Sequence, residues 1–353
     1  MRIFIWLFPL LIIGCSTSSI YKVSDPKTLL HNDELTEAEI DDYKRAINEY
    51  DSGNYTIAKQ IFAQLLEANP NSSEVIYELA MTESALGNSK VSLELVKRGQ
   101  TIDAPNRTLF YHIQGIELDN AGYPKRAKKA FQKAISLNND FHLAHYSLAI
   151  TSVNLGEVDE AIVSLQNAIR ANFGHASSHL LLGRIYHDMG NHVPALLAYT
   201  YFVQIEQDSP RTLQTYDAIQ SIFNLATKDE ETGKVEVNLN LGGAMGNGFT
   251  MYEMMLMGYS ATRFTEGEYD SEIDFIAKGY AMILEQYTEH ENTGIDPFFV
   301  EQYLPYLVQV YNHDYVEPMV YLTFQNSLLP EVTPWIDANL EKCEEYLAWE
   351  PDL

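Results

Sequence analysis

The sequence is short of cysteine and of positive charge, and past its first residues it has no long apolar run. Its two cysteines, Cys15 and Cys343, cannot build a disulfide framework: one closes the leader and the other falls in the last expected helix. Lys and Arg number 23 against 49 Asp and Glu, a formal net charge of −26. So acidic a balance opposes binding to nucleic acid or to an anionic lipid surface. The imbalance is uneven. From Asp229 onward there are 24 acidic residues and 4 basic ones (Lys234, Arg263, Lys278, Lys342), a net of −20. That excess suits a solubilising surface, or a face for a basic partner or divalent cations. Signatures of chemistry are missing too: no His-Glu-x-x-His, no Gly-x-Ser-x-Gly elbow and no cysteine pair. The glycine-rich stretch 242–248 is not followed by Gly-Lys-Ser/Thr and reads as a joint. No catalytic residue, metal site or cofactor is expected.

What is present begins with residues 1–15. One arginine precedes an apolar run from Ile3 to Ile13, too short to span a bilayer with ease and shaped like a secretory core. Ile12-Ile13-Gly14-Cys15 puts a small residue before a cysteine, directly ahead of a Ser/Thr tract. This resembles a bacterial lipobox. The resemblance implies cleavage of a leader 1–14, acylation of Cys15 and firm anchoring by two or three chains; Ser16 implies the outer membrane. An ordinary signal peptide or an uncleaved anchor is the alternative. Residues 15–35 are then a polar tether.

Five glycines, Gly53, Gly87, Gly122, Gly156 and Gly190, follow at intervals of 34, 35, 34 and 34 residues. Each sits in a similar phrase, such as Asn154-Leu-Gly-Glu-Val-Asp-Glu-Ala161. With the glycine as position 15, position 8 is small (Ala46, Ala80, Gly115, Ala149, Gly183) and position 20 is Ala58, Ser92, Ala127, Ala161 and Ala195. Position 24 is bulky: Phe62, Val96, Phe131, Leu165 and Tyr199. Each unit resembles a tetratricopeptide repeat, a helix A–turn–helix B hairpin that buries its apolar face only by stacking. The fold expected is all-α: an α-solenoid of five such repeats over 36–210, a capping helix over 211–228, and a small helical C-terminal domain. Thr36-Glu-Ala-Glu39 reads as a capping box opening the first A helix. The extra residue of the 35-residue interval is expected in the Asp103–Asn106 turn.

In this family, positions 2, 5, 9, 12 and 13 of the A helices line a concave groove. That resemblance makes Tyr43, Ile47, Tyr50, Tyr77, Met81, His112, Ile116, Asn120, Tyr146, Ile150, Asn154, Arg184 and His187 the candidate partner-binding residues. Rigid aromatics with adaptable polar groups suit an extended or helical peptide. Arg184 is the only cation in the set, so the basic clamp by which chaperone-binding members hold a C-terminal carboxylate is missing. Simple solvation is the competing reading of any one of these residues.

Two clusters remain. The third B helix carries Lys125, Arg126, Lys128, Lys129 and Lys133, the one basic cluster, expected on the convex side as a solvated face or a docking patch, or as a contact for the acidic C-terminal third within one molecule or between two. Six histidines lie between His142 and His192, and the His175/His179 spacing could present two imidazoles to zinc. His145 and His179 both occupy position 4, however, where the family packs a large side chain, and packing accounts for them. Residues 229–248 have linker composition, with an alternating stretch Val235–Leu241 able to pair as a strand. Residues 249–353 read as an acidic helical domain with helices near 250–264, 271–288, 297–311, 316–325 and 333–348. It resembles an extension seen on other bacterial tetratricopeptide proteins, to which no role attaches. The expectation as a whole is an outer-membrane lipoprotein facing the periplasm that binds a protein or peptide, with no nucleic acid. The alternatives are an enzyme or accessory subunit with a site between solenoid and C-terminal domain, and a structural spacer.

Overall fold

The computed structural model describes residues 21–237, 248–265, 268–289 and 294–351. The leader, Cys15 and most of the 242–248 stretch lie outside them. The chain divides into two compact units after Glu157.

The first unit is built from hairpins of nearly equal helices. They are α1 (Glu37–Asp51) with α2 (Tyr55–Ala68), α3 (Ser73–Ala85) with α4 (Ser89–Gly99), and α5 (Arg107–Asn120) with α6 (Pro124–Leu137), followed by α7 (His142–Asn154). The capping box at Thr36 and Glu39 is present, satisfying donors that the first turn of α1 would leave unpaired. All five ruler glycines have φ between +75° and +78°, the left-handed region where a Cβ is strained. That conformation, not space, is why glycine recurs there. Position 8 is small for a different reason. A Cβ on Gly115 would stand 2.3 Å from the Phe131 ring, so the A and B helices touch through that pair.

The second hairpin departs from the pattern. Helix α4 is 11 residues long where α2 and α6 are 14, and the α4–α5 connection is correspondingly long. The last residue of α4 is glycine because the Phe110 ring occupies the place of a Cβ, 2.2 Å away. In that connection Ile102 forms an isolated parallel bridge with Leu30 of the chain's own N-terminal segment. Leu30 N–H donates to Thr101 O (2.7 Å), and Asp103 N–H donates to Leu30 O (2.9 Å).

Residues 21–35, read from sequence as tether, are therefore a strap over the first unit. Asn32 Oδ1 accepts from Ser73 N–H and Asp33 Oδ2 from Asn71 N–H, so the strap caps α3. Asp25 accepts from the Tyr111 hydroxyl (2.9 Å) and pairs with Lys133 (2.5 Å), which holds its carboxyl below the usual range. Tyr21 and Val23 pack on the Leu118–Phe131 cluster.

In the second unit, α8 (Val158–Ala171), α9 (Ala176–Asp188), α10 (His192–Ile205) and α11 (Pro210–Phe223) continue the helical series. Strands β1 (Ala226–Lys228) and β2 (Val235–Val237) pair antiparallel, giving the alternating stretch a partner the sequence did not suggest. Then come α12 (Thr250–Thr262), α13 (Glu272–Glu289), α14 (Pro297–Gln302), α15 (Leu304–Asn312), α16 (Val316–Thr323), α17 (Val332–Ala338) and α18 (Leu340–Ala348). Pro305 stands in the first turn of α15 and marks a true helix start, as its missing N–H favours.

The sequence separates a capping helix (211–228), a linker (229–248) and an independent domain (249–353). The packing joins them instead. Every residue of α10 from His192 to Val203 is buried, the mark of a central helix. Glu253 of α12, fully buried, accepts from the Val193 N–H at 2.7 Å and lies 3.1 Å from His192 Nδ1, closing the start of α10. The Thr200 and Tyr280 hydroxyls bond at 2.7 Å, and the Tyr201 hydroxyl donates to Tyr303 O. Helix α11 is covered on its far side too, Phe223 meeting Phe275 and Tyr280, and Tyr216 stacking on Phe324. It is an interior helix, not an end cap. No helix among the described residues is long and apolar enough to cross a membrane.

Candidate functional site: the A-helix face of the first unit

Helices α1, α3, α5 and α7 are the A helices of the first unit, and each presents a stripe at i, i+3, i+7, i+10, which an α-helix keeps on one side. The stripes read Ile40–Tyr43–Ile47–Tyr50, Glu74–Tyr77–Met81–Ser84, Leu109–His112–Ile116–Asp119 and Leu143–Tyr146–Ile150–Val153. Neighbouring stripes are joined across the face. The Tyr43 hydroxyl donates to Glu78 Oε1 (3.4 Å, α1 to α3), and His112 Nε2 lies 3.0 Å from Ser147 Oγ (α5 to α7). The Thr151 hydroxyl donates to Asp119 Oδ2 at 3.4 Å, again between α7 and α5.

The rings at position 5 have one side in the core and one at the surface. Tyr43 meets Phe62 edge-on and Tyr77 meets Phe110, while His112 sits between Phe131 and Phe141. Being locked by packing, they add little rotamer entropy to the cost of binding. Burial pushes the His112 pKa down to about 4, so this imidazole is neutral at physiological pH. The same desolvation raises the Tyr43, Tyr50 and Tyr77 hydroxyls and the Glu78 carboxyl above their ordinary values.

Of the candidates, Tyr43, Ile47, Tyr50, Tyr77, Met81, His112, Ile116, Tyr146 and Ile150 are half-buried on this face, with Asn120 and Asn154 exposed at helix ends. Arg184 and His187 belong to α9, in the second unit. Arg184 is exposed there. His187 is not open as expected: its Nε2 lies 3.4 Å from Ser221 Oγ of α11 and its ring meets Tyr199, because α11 packs beside α9. Several residues of the face were not among the candidates. Ile40, Leu143 and Val153 are 37%, 37% and 38% exposed at groove positions, so the repeat register could have found them. Glu78 lies outside that register and is drawn in only by Tyr43.

The position-4 histidines have structural partners. His145 Nε2 donates to Asn139 O (2.8 Å) and His179 Nε2 to Phe173 O (2.7 Å), each a carbonyl six residues back. In the second unit a cavity of about 550 Å³ is walled by Phe173, Tyr201, Ile205, Pro305 and Tyr306. Its single carboxylate, Glu301, faces Arg170 at 3.5 Å, so no pair of acid and base converges on it.

Family models described as tetratricopeptide repeat match residues 42–72 and 110–141. The all-α fold is built on tetratricopeptide hairpins. A peroxisomal targeting signal receptor of Kluyveromyces lactis is 30% identical over 131 residues, covering 35% of this chain and 22% of that receptor. This chain thus spans about a fifth of the receptor's length. Among solved structures, a thermophilic tetratricopeptide protein of Thermus thermophilus is 22% identical, with a TM-score of 0.43 over 51% of this chain and 98% of its own. A pilF structure from Pseudomonas aeruginosa is 15% identical, with a TM-score of 0.46 over 79% of this chain and 98% of its own.

Proposed function

We propose that this protein is a scaffold of the bacterial envelope, anchored by acylated Cys15 in the outer membrane and facing the periplasm, that holds a peptide segment of another protein on its A-helix face. The observation that carries the reading is the set of four adjacent stripes of pre-packed aromatic and aliphatic side chains, half open to solvent. Their register positions hold no lysine or arginine, while Asp51, Glu74 and Asp119 stand among them. A partner segment with apolar anchors and basic side chains fits that chemistry, since apolar area supplies affinity and opposite charge sets register. Anchoring raises the partner's local concentration at the membrane, which strengthens a weak contact without new surface.

The test uses the full chain with alanine at Tyr43, Tyr77 and Tyr146 beside the unmutated chain, each with a photo-crosslinking residue at position 84. Crosslinked partners lost from the triple variant support the groove; identical partner lists sink it. Release of a Cys15→Ala chain from membranes supports the anchor, and unchanged retention contradicts it.

A further inference from the structure

The strap decides where the chain leaves the first unit. The ring of its first described residue, Tyr21, lies tilted against that of Tyr123, 5.3 Å between centroids, and Tyr123 is the residue that opens α6. Tyr21 follows Cys15 by six positions. Whatever its conformation, that interval reaches no further than roughly 20 Å. An acyl anchor on Cys15 therefore keeps Tyr21 within that distance of the lipid, with the start of α6 beside it.

The surface at that point carries the run of basic residues Lys125 to Lys133 in an otherwise acidic molecule. Lys125 and Lys129, one turn apart on α6, are exposed, and no ion pair among the described residues engages either. Arg126 lies over the Tyr123 ring at 5.0 Å, and that ring is 39% exposed. Lys128 and Lys133 are already paired, with Glu157 and Asp25. Of the total charge of −26, −20 falls beyond residue 228, so the repulsion from an anionic surface arises mostly outside this unit. Salt screens it over about 8 Å, whereas a patch in contact with headgroups acts at full strength. An aromatic ring beside basic side chains is also the composition that settles at a membrane interface.

We propose that Tyr123, Lys125, Arg126 and Lys129 form a membrane-facing surface that binds anionic phospholipid headgroups and fixes the protein's orientation on the bilayer. The proposal rests on the acylated Cys15 of the proposed function. Tethering brings the patch to the surface, and the patch selects which side of the first unit turns toward it. The A-helix stripes belong to the other helices of the same hairpins and stay clear for a partner.

The experiment takes the full acylated chain carrying Gln132→Cys, one turn beyond Lys129, labelled with a fluorophore; Cys343 is buried and does not compete. It is reconstituted in phosphatidylcholine vesicles, with or without about a third phosphatidylglycerol, containing a headgroup spin-label quencher. Quenching should rise about threefold with phosphatidylglycerol, and the rise should vanish at high salt or with Lys125→Glu, Arg126→Glu and Lys129→Glu combined. The charge-reversed chain should stay vesicle-bound through its acyl chains. Equal quenching in both vesicles, with Cys15 acylated by mass spectrometry, overturns this inference alone. An unacylated Cys15 overturns it together with the anchor.

Discussion

His179 shows how burial decides what a side chain can do. It is fully buried, its Nε2 donates to Phe173 O, and its Nδ1 accepts from the Tyr303 hydroxyl at 2.8 Å. Both nitrogens are satisfied only in the neutral form, and desolvation lowers the pKa to about 4 from 6.5. Between those values the unfolded chain binds the proton and the folded one does not, so stability rises with pH across that window and is lost on acidification. The contribution at neutral pH is on the order of 3 kcal/mol. Urea midpoints at pH 7 and pH 4.5 should differ less for His179→Asn than for the unmutated chain. An equal difference would contradict the assignment. Gly99 makes the steric counterpart. Ala there gains about 1 kcal/mol of helix propensity, but its Cβ meets the buried Phe110 ring at 2.2 Å. Overpacking of that kind costs about 1–3 kcal/mol, so Gly99→Ala should lower the thermal midpoint. A raised midpoint would show that Phe110 can move aside.

Among the elements, the strap is the one whose role reverses the sequence expectation. Composition marks 21–35 as polar tether, yet Asn32 and Asp33 satisfy backbone donors at the start of α3 that no residue nearer in sequence reaches. A lost cap costs about 1 kcal/mol. Asn32→Ala with Asp33→Ala should therefore cost about 2 kcal/mol by chemical denaturation and speed tryptic cleavage at Lys27. A strap that lies loosely on the surface would change neither. The paired lengths of α4 and its connection belong with this: the hairpin is shortened where Leu30 pairs with Ile102.

For the whole molecule, the consequence lies in the second unit. Helix α10 is buried along nearly its whole length, and residues from 253 to 303 supply the partners of His192, Val193, Thr200 and Tyr201. A chain ending at residue 237 would expose that surface and strip the start of α10 of its buried carboxylate. We expect such a chain to lose cooperative unfolding of residues 158–223 by hydrogen exchange, while α1–α6 stay protected. Full protection of α9 and α10 in it would restore the view of residues 249–353 as a separate domain.

Periodicity by itself determined the hairpins, because each is closed by local forces. A glycine at positive φ ends the A helix, a small residue at position 8 admits the bulky side chain at position 24, and the pattern returns every 34 or 35 residues. Most of the A-helix face was legible for the same reason, as the register that builds the hairpin also says which side is left over. Tertiary structure alone decided the strap, the covering of His187 and the joining of the C-terminal third to α9–α11. Those rest on pairs such as Asp25 with Tyr111 and His192 with Glu253, 86 and 61 residues apart. Contacts at that range leave no period in the sequence, since their energy appears only once the chain has brought both partners out of water together.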